Sequence, residues 1–281
     1  MIGWMKNARV GARIAAAIVP PTIAMAALAG TMVMDTWQSS QTMATVSDLA
    51  RLAPKVSALV HEMQKERGQS AGFVGSNGEA FAAVLPKQRQ DTDERLGQMT
   101  QALDAFKFGN NDSLRQRASA TTAALEKLQQ TRKSIDGITL TVPELASYYT
   151  GTIGSMLKIV EGLLQASTDD AISKEISAYL SFLEGKERAG VERAIGAGGF
   201  GTGAFSPKAM EKFTSLIGAQ EVYFNEFRLF AKPANIRAFD ETLKGPVVDK
   251  VQEMRDVALA SSGTGYLREI TGKAWFDAIT A

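Results

Sequence analysis

Apolar residues that return every three or four positions constrain this chain more than any other feature. Val46, Leu49, Leu52, Val56, Leu59, Val60 and Met63 form such a run, the mark of a helix with one buried stripe. After Asp35 almost no period-two alternation is present, so strands are not expected. The same stepping predicts helices over about 79–107, 112–135, 143–167, 170–197, 207–231, 234–243 and 246–261, and a last one opening near 265. Breaks are expected at Ser76-Asn77-Gly78, Asn110-Asn111-Asp112 and Asp136-Gly137, with a glycine-rich loop from Gly196 to Pro207. Pro54 is expected to kink or restart the first helix. Ser167-Thr168-Asp169-Asp170 is expected to cap the helix that follows it. Short connections favour antiparallel packing. The expected fold is all-α: an N-terminal transmembrane helix followed by two packed antiparallel helical bundles.

The membrane expectation rests on Ile14 to Met34, which contains no charged residue. About 20 apolar residues suffice for a helix to cross a bilayer. Lys6, Arg9 and Arg13 precede the run and Asp35 follows it, so the positive-inside rule places residues 1–13 in the cytoplasm and 35–281 outside. Pro20 and Pro21 would kink the span. A cleaved signal peptide ending near Ala27-Leu28-Ala29 is the competing reading, and both export the rest of the chain. The expected location is therefore the bacterial inner membrane with a periplasmic sensory domain.

Composition removes several function classes. The chain has 31 Lys+Arg against 30 Asp+Glu, one His and no Cys. Near-neutral charge gives no nucleic-acid footprint, so no nucleic-acid partner is expected. Without cysteine there is no disulfide, thiolate metal site or cysteine nucleophile. A single histidine, His61, excludes a histidine metal cluster. Asp169-Asp170 reads as a helix cap, and no nucleophile–base pair stands out. The protein is not expected to be an enzyme or to carry a cofactor.

One pattern is written twice. Lys65-Glu66-Arg67 is followed by Gly68, Gly72, Gly75 and Gly78, and Lys186-Glu187-Arg188 by Gly190 and the run from Gly196. Phe81 and Phe205 close the two glycine-rich stretches. Glycine inside a helix loses about 0.8–1.0 kcal/mol relative to alanine, a cost that makes sense where helices must approach closely. Arg188 has Glu184 four residues before it and Glu192 four after, the spacing of ordinary surface ion pairs. Alternatively, two small-residue faces meet and bring two guanidinium groups to one crevice. Such forks repel unless an anion lies between them, and guanidinium suits a flat oxyanion. Arg67 with Arg188 or Arg193 is the natural pair. Arg188 and Arg193 lie about 140° apart around a helix, so they do not both face one pocket squarely.

The runs VHEMQKERGQSAGFVGSNG and EGKERAGVERAIGAGGF resemble the NIT domain, the nitrate- and nitrite-sensing module of bacterial receptors. The resemblance covers most of residues 50–281. It implies two four-helix bundles with nitrate or nitrite held between them by arginines. It also implies a sensory input role, attached to chemotaxis-receptor, histidine-kinase, cyclase or antiterminator outputs. Arg67 then carries over as an anion ligand, with Arg188 or Arg193 as its partner. A further arginine is expected from a later helix. Arg228, Arg237 and Arg255 are the candidates, and Arg237 joins the expected set. The reading at this stage is the N-terminal input domain of a longer transmembrane chemotaxis-type receptor. A homodimer is expected, and a ligand-independent dimerisation module is the alternative.

Overall fold

The computed structural model describes residues 51–106, 108, 109, 111–166, 170–264, 267 and 270–280, together with Met25. The apolar run from Ile14 to Met34, Met25 excepted, and the cap residues Ser167, Thr168 and Asp169 lie outside the described residues. Among the described residues the structure is all-helical, and no helix is long and apolar enough to cross a membrane.

Helix α1 covers residues 51–75. It is followed by α2 (Leu85–Asp104), α3 (Asp112–Leu125), α4 (Leu128–Asp136), α5 (Val142–Ala166) and α6 (Asp170–Thr202). Then come α7 (Pro207–Phe230), α8 (Pro233–Thr242), α9 (Pro246–Thr264) and α10 (Gly272–Thr280). Local signals set several starts. The Asn111 side chain accepts from the Leu114 amide at 2.9 Å, and Ser206 caps α7 through the Ala209 amide at 3.2 Å. Thr141 and Glu144 form a reciprocal capping box ahead of α5, at 2.8 and 3.4 Å.

Two expectations fail for packing reasons. The span 112–135 is broken at Glu126-Lys127, which leaves both Leu125 and Leu128 buried in the same core. The loop expected from Gly196 is instead the last two turns of α6. Its glycines are where aromatic rings lie flat against a helix: a side chain at Gly196 would strike Trp275, and one at Gly199 would strike Phe205.

Among the described residues the helices enclose two large hydrophobic cores and a small third one of Ala178, Phe227 and Phe239, and α6 is long enough to serve all three. The first gathers Leu59, Met63, Met99, Leu114, Ile135, Tyr149 and Ile153 with Leu183 of α6. The second gathers Phe200 of α6 with Phe213, Met254, Ala258 and Trp275. Trp275 is fully buried, with its ring 5.5 Å from Phe200 and 5.6 Å from Phe213. Its indole N–H donates to the Arg193 carbonyl at 3.0 Å. That bond ties α10 to the middle of α6, at the level where α1 arrives from the other side.

Candidate anion site

α1 and α6 meet through reciprocal glycines. A β-carbon at Gly190 of α6 would lie 2.8 Å from Arg67 Nη2, and one at Gly68 of α1 would lie 3.6 Å from Arg193 Nε and 2.6 Å from the Phe276 ring. Each arginine thus rests over a glycine of the opposite helix. This is what the glycine after the charged cluster is for: the backbones close until each guanidinium is covered. Arg67 is 1% exposed and Arg193 7%.

Charge balance singles out one of the two. Three fully buried carboxylates each hold an arginine. Glu66 takes Arg132 at 2.7 and 2.9 Å and also accepts from the Tyr149 hydroxyl at 2.8 Å. Glu192 takes Arg255 through two bonds of 2.7 Å, and Gln220 also donates to it at 2.7 Å. Glu187 takes Arg67 at 2.6 and 3.3 Å and accepts from Gln64 at 2.7 Å. Arg193 has no carboxylate partner among the described residues. It donates to the Gln64 carbonyl at 2.9 Å and to the Thr280 hydroxyl at 3.1 Å, and lies 4.9 Å from the centre of the Phe276 ring. Burial, and then the charge of Arg67, push its pKa down to about 10, with only Glu187 opposing. Lys186 adds positive charge close by. Its own pKa is lowered by burial and by Arg193, and its ammonium lies 3.1 Å from His61 Nδ1.

The Nε atoms of both Arg67 and Arg193 are buried and have no hydrogen-bond acceptor among the described residues. A buried donor without an acceptor costs roughly 1–3 kcal/mol, more when it is charged. Two such donors on neighbouring cations call for a small species that only accepts hydrogen bonds and carries negative charge. A monovalent oxyanion has that chemistry.

The other expected ligands stand elsewhere. Arg188 makes the surface pair with Glu184 at 2.9 Å and lies 5.4 Å from the centre of the Tyr223 ring, facing α7 rather than α1. Its second acidic neighbour, Glu192, is turned away to Arg255. Arg237 is exposed on α8 and is not brought to the α1–α6 crossing. Of the later arginines, Arg228 pairs with Asp240 at 2.8 Å. Arg255 reaches α6 but is held by Glu192. The sequence reading missed Glu187 and Gln64, which occupy Arg67, and Phe276 and Thr280, which cover Arg193. Helical stepping carried part of that signal, since Glu187, Gly190 and Arg193 recur every three residues on one face.

Comparison with known proteins bears on the whole chain. The family model described as nitrate and nitrite sensing matches residues 58–281. A nitrate regulatory protein of Klebsiella oxytoca is 31% identical over 229 residues, which is 82% of this chain and 57% of that protein. The chain therefore spans just over half of that relative's length. The solved structure of the NasR transcription antiterminator superposes with a TM-score of 0.82 at 28% identity, covering 90% of this chain and 68% of that one.

These relatives correct the receptor reading. They are a regulatory protein and a transcription antiterminator, not chemotaxis receptors. The membrane partner, the inner-membrane location and the periplasmic placement are dropped with it. The length-and-charge criterion applied to residues 14–34 counts apolar residues and takes no account of the protein they belong to. The expectation of no nucleic-acid partner is dropped too. Net charge over these residues reports on these residues alone, and a relative of this fold is an antiterminator of transcription. With the matching model covering nearly all of the described residues, the chain belongs to the nitrate- and nitrite-sensing NIT family.

Proposed function

We propose that this domain is a sensory input module that binds nitrate or nitrite between Arg67 of α1 and Arg193 of α6 and reports occupancy to a transcription-regulating output. The observation that carries the reading is the pair of buried guanidinium groups of which only Arg67 holds a carboxylate, each with an Nε donor that nothing among the described residues accepts. Nitrate is planar and monovalent and has only acceptor oxygens, so one ion offers an edge to each fork. The relatives' names supply the ligand class and the kind of output. The crossing of α1 and α6 supports that location.

A sensor does no chemistry on its ligand. It must bind the ligand more tightly in one arrangement than in another. Arg193 is suited to pass that difference on, because Thr280, Phe276 and Trp275 of α10 all contact it. An anion that draws the guanidinium toward Arg67 loosens the Thr280 contact and changes how α10 seats on α6. Movements of packed helices by an ångström or two are an established way to switch.

Titration calorimetry with nitrate, nitrite, sulfate and chloride tests the proposal. Nitrate or nitrite should bind, and Arg67→Ala and Arg193→Ala should each weaken binding by about ten- to a hundredfold, the scale of one charged hydrogen bond. Wild-type affinity in a folded Arg193→Ala variant would move the site elsewhere.

A further inference from the structure

We infer that Glu187 is an internal competitor for the anion site: its carboxylate holds Arg67 until a small oxyanion displaces it. The inference rests on the Arg67–Arg193 site proposed above and adds what sets that site's affinity. The Glu187 side chain is 2% exposed. Both of its oxygens face α1, where Arg67 Nη1, Arg67 Nη2 and Gln64 Nε2 converge on them at 2.6, 3.3 and 2.7 Å. A carboxylate presents what nitrate and nitrite present, coplanar oxygens that share one negative charge and only accept. The Nη face of Arg67 is thus already filled by a mimic of the ligand. The Nε atom of Arg67 and the guanidinium of Arg193 are not.

A second anion beside a buried carboxylate sets two like charges against each other, and the pair relaxes by protonation or by separation. The fold provides for separation. Glu187 also lines a crevice of about 380 Å3 between α5, α6 and α7. Thr150, which accepts from Arg67 at 2.8 Å, lines it too. Lys158 and Arg188 border the same crevice, together with the carboxylates Glu161, Glu184 and Glu226. A rotation of the Glu187 side chain exchanges Arg67 for this partly solvated space, where water screens it from the neighbouring carboxylates and Lys158 offers a counter-charge. The ligand then takes over Arg67 and reaches Arg193 as well.

This exchange makes Glu187 the residue that sets threshold and selectivity. A ligand must satisfy two arginines to outcompete a carboxylate that satisfies one. Chloride, with a single centre, does so less well than a two- or three-oxygen anion. The exchange also releases the tie between α1 and α6 at position 187 and leaves the one at position 193, where Arg193 already donates to the Gln64 carbonyl, about 9 Å along α6 at 1.5 Å per residue. The two states therefore differ in where the helices are fastened, as a switch requires.

The test is nitrate calorimetry on the full chain carrying Glu187→Gln or Glu187→Asp, with folding checked by circular dichroism. Glu187→Gln should bind nitrate about tenfold tighter than wild type or better, since the competing charge is gone. Glu187→Asp keeps the charge but draws it back by one methylene, and should also gain, by less. If Glu187→Gln fails to fold, the aspartate variant decides. Equal or weaker binding by the folded variants overturns the inference, because Glu187 would then be supporting the site. Titrations in buffers of different ionisation enthalpy should show no proton uptake, and one proton taken up per nitrate would overturn displacement of an ionised Glu187. Arg193→Gln separates the two readings. It should weaken binding by about ten- to a hundredfold in both the wild-type and the Glu187→Gln backgrounds. Unchanged affinity in both refutes the site itself, whereas loss there without a gain from Glu187→Gln refutes the competitor alone.

Discussion

In the first Lys-Glu-Arg copy, the glutamate points into the first core and the arginine points out of it. Glu66 is closed off by Arg132 and Tyr149, while Arg67 crosses to α6. In the second copy the directions are exchanged. Glu187 crosses to α1, and Arg188 turns to the Tyr223 face of α7. The residue that answers Arg67 across the interface is Arg193, five positions beyond the second copy's arginine. Three identical letters therefore do not place three side chains in equivalent surroundings. What places them is which helical face meets the partner, and Gly68 and Gly190 mark those faces more faithfully than the charges do.

The comparison breaks most visibly in stability. Arg132→Ala would strip the buried Glu66 of its two-bond partner and leave only Arg89, 4.0 Å away, a change worth about 3 kcal/mol. Arg188→Ala removes a half-buried i,i+4 pair with Glu184 and a contact on the Tyr223 ring, together worth about 1 kcal/mol, and should change nitrate affinity far less than Arg67→Ala. Denaturant unfolding of the two variants checks this. Similar losses would mean the Glu66 network does not lock the first core.

A smaller contrast separates two glycines of α6. Gly190→Ala pushes a methyl group into the Arg67 guanidinium and should cost about 1–3 kcal/mol, as overpacking does, together with nitrate affinity. Gly198→Ala meets nothing within 4 Å and should stabilise α6 by about 0.5–1 kcal/mol through helix propensity alone. Thermal melts with and without nitrate check the pair. A harmless Gly190→Ala would show that α1 and α6 do not need to sit this close.

The smallest expected effect lies at the rim. Burial, and then the Lys186 charge, lower the pKa of His61, with Lys65 and Arg193 adding to the depression and Glu62 opposing it. A histidine lowered on folding binds fewer protons folded than unfolded. Its stabilising contribution is present above the ordinary value near 6.5 and is lost as pH falls through the folded pKa. His61→Gln should flatten that acid-side loss, and melting temperatures measured between about pH 7 and 5 would show it. An unchanged slope would remove His61 from the electropositive rim.

Helix positions were legible in the sequence where an apolar stripe followed a break, as at Asn111, which caps the expected start of α3. The glycine-rich end of α6 was not. Glycine signals a loop by its own propensity, and the rings of Trp275 and Phe205 that overrule it come from other elements. At the proposed site, Arg67 stood out beside Gly68, and its partner was left open between Arg188 and Arg193. The counter-ion Glu187 was hidden. Sequence spacing shows which acids lie one turn from an arginine on the same helix, but not which acid another helix delivers. Arg188 and Arg237 were included for the same reason, since type and rough position do not give orientation.

A structure of the protein crystallised with nitrate tests the central claim most directly. The account predicts a planar anion between α1 and α6, with oxygens within about 3 Å of both the Arg67 and Arg193 guanidinium groups, and Glu187 rotated away from Arg67. Nitrate seated instead against Arg188 and Tyr223, or at Arg237, with the Arg67–Glu187 pair intact, would contradict it.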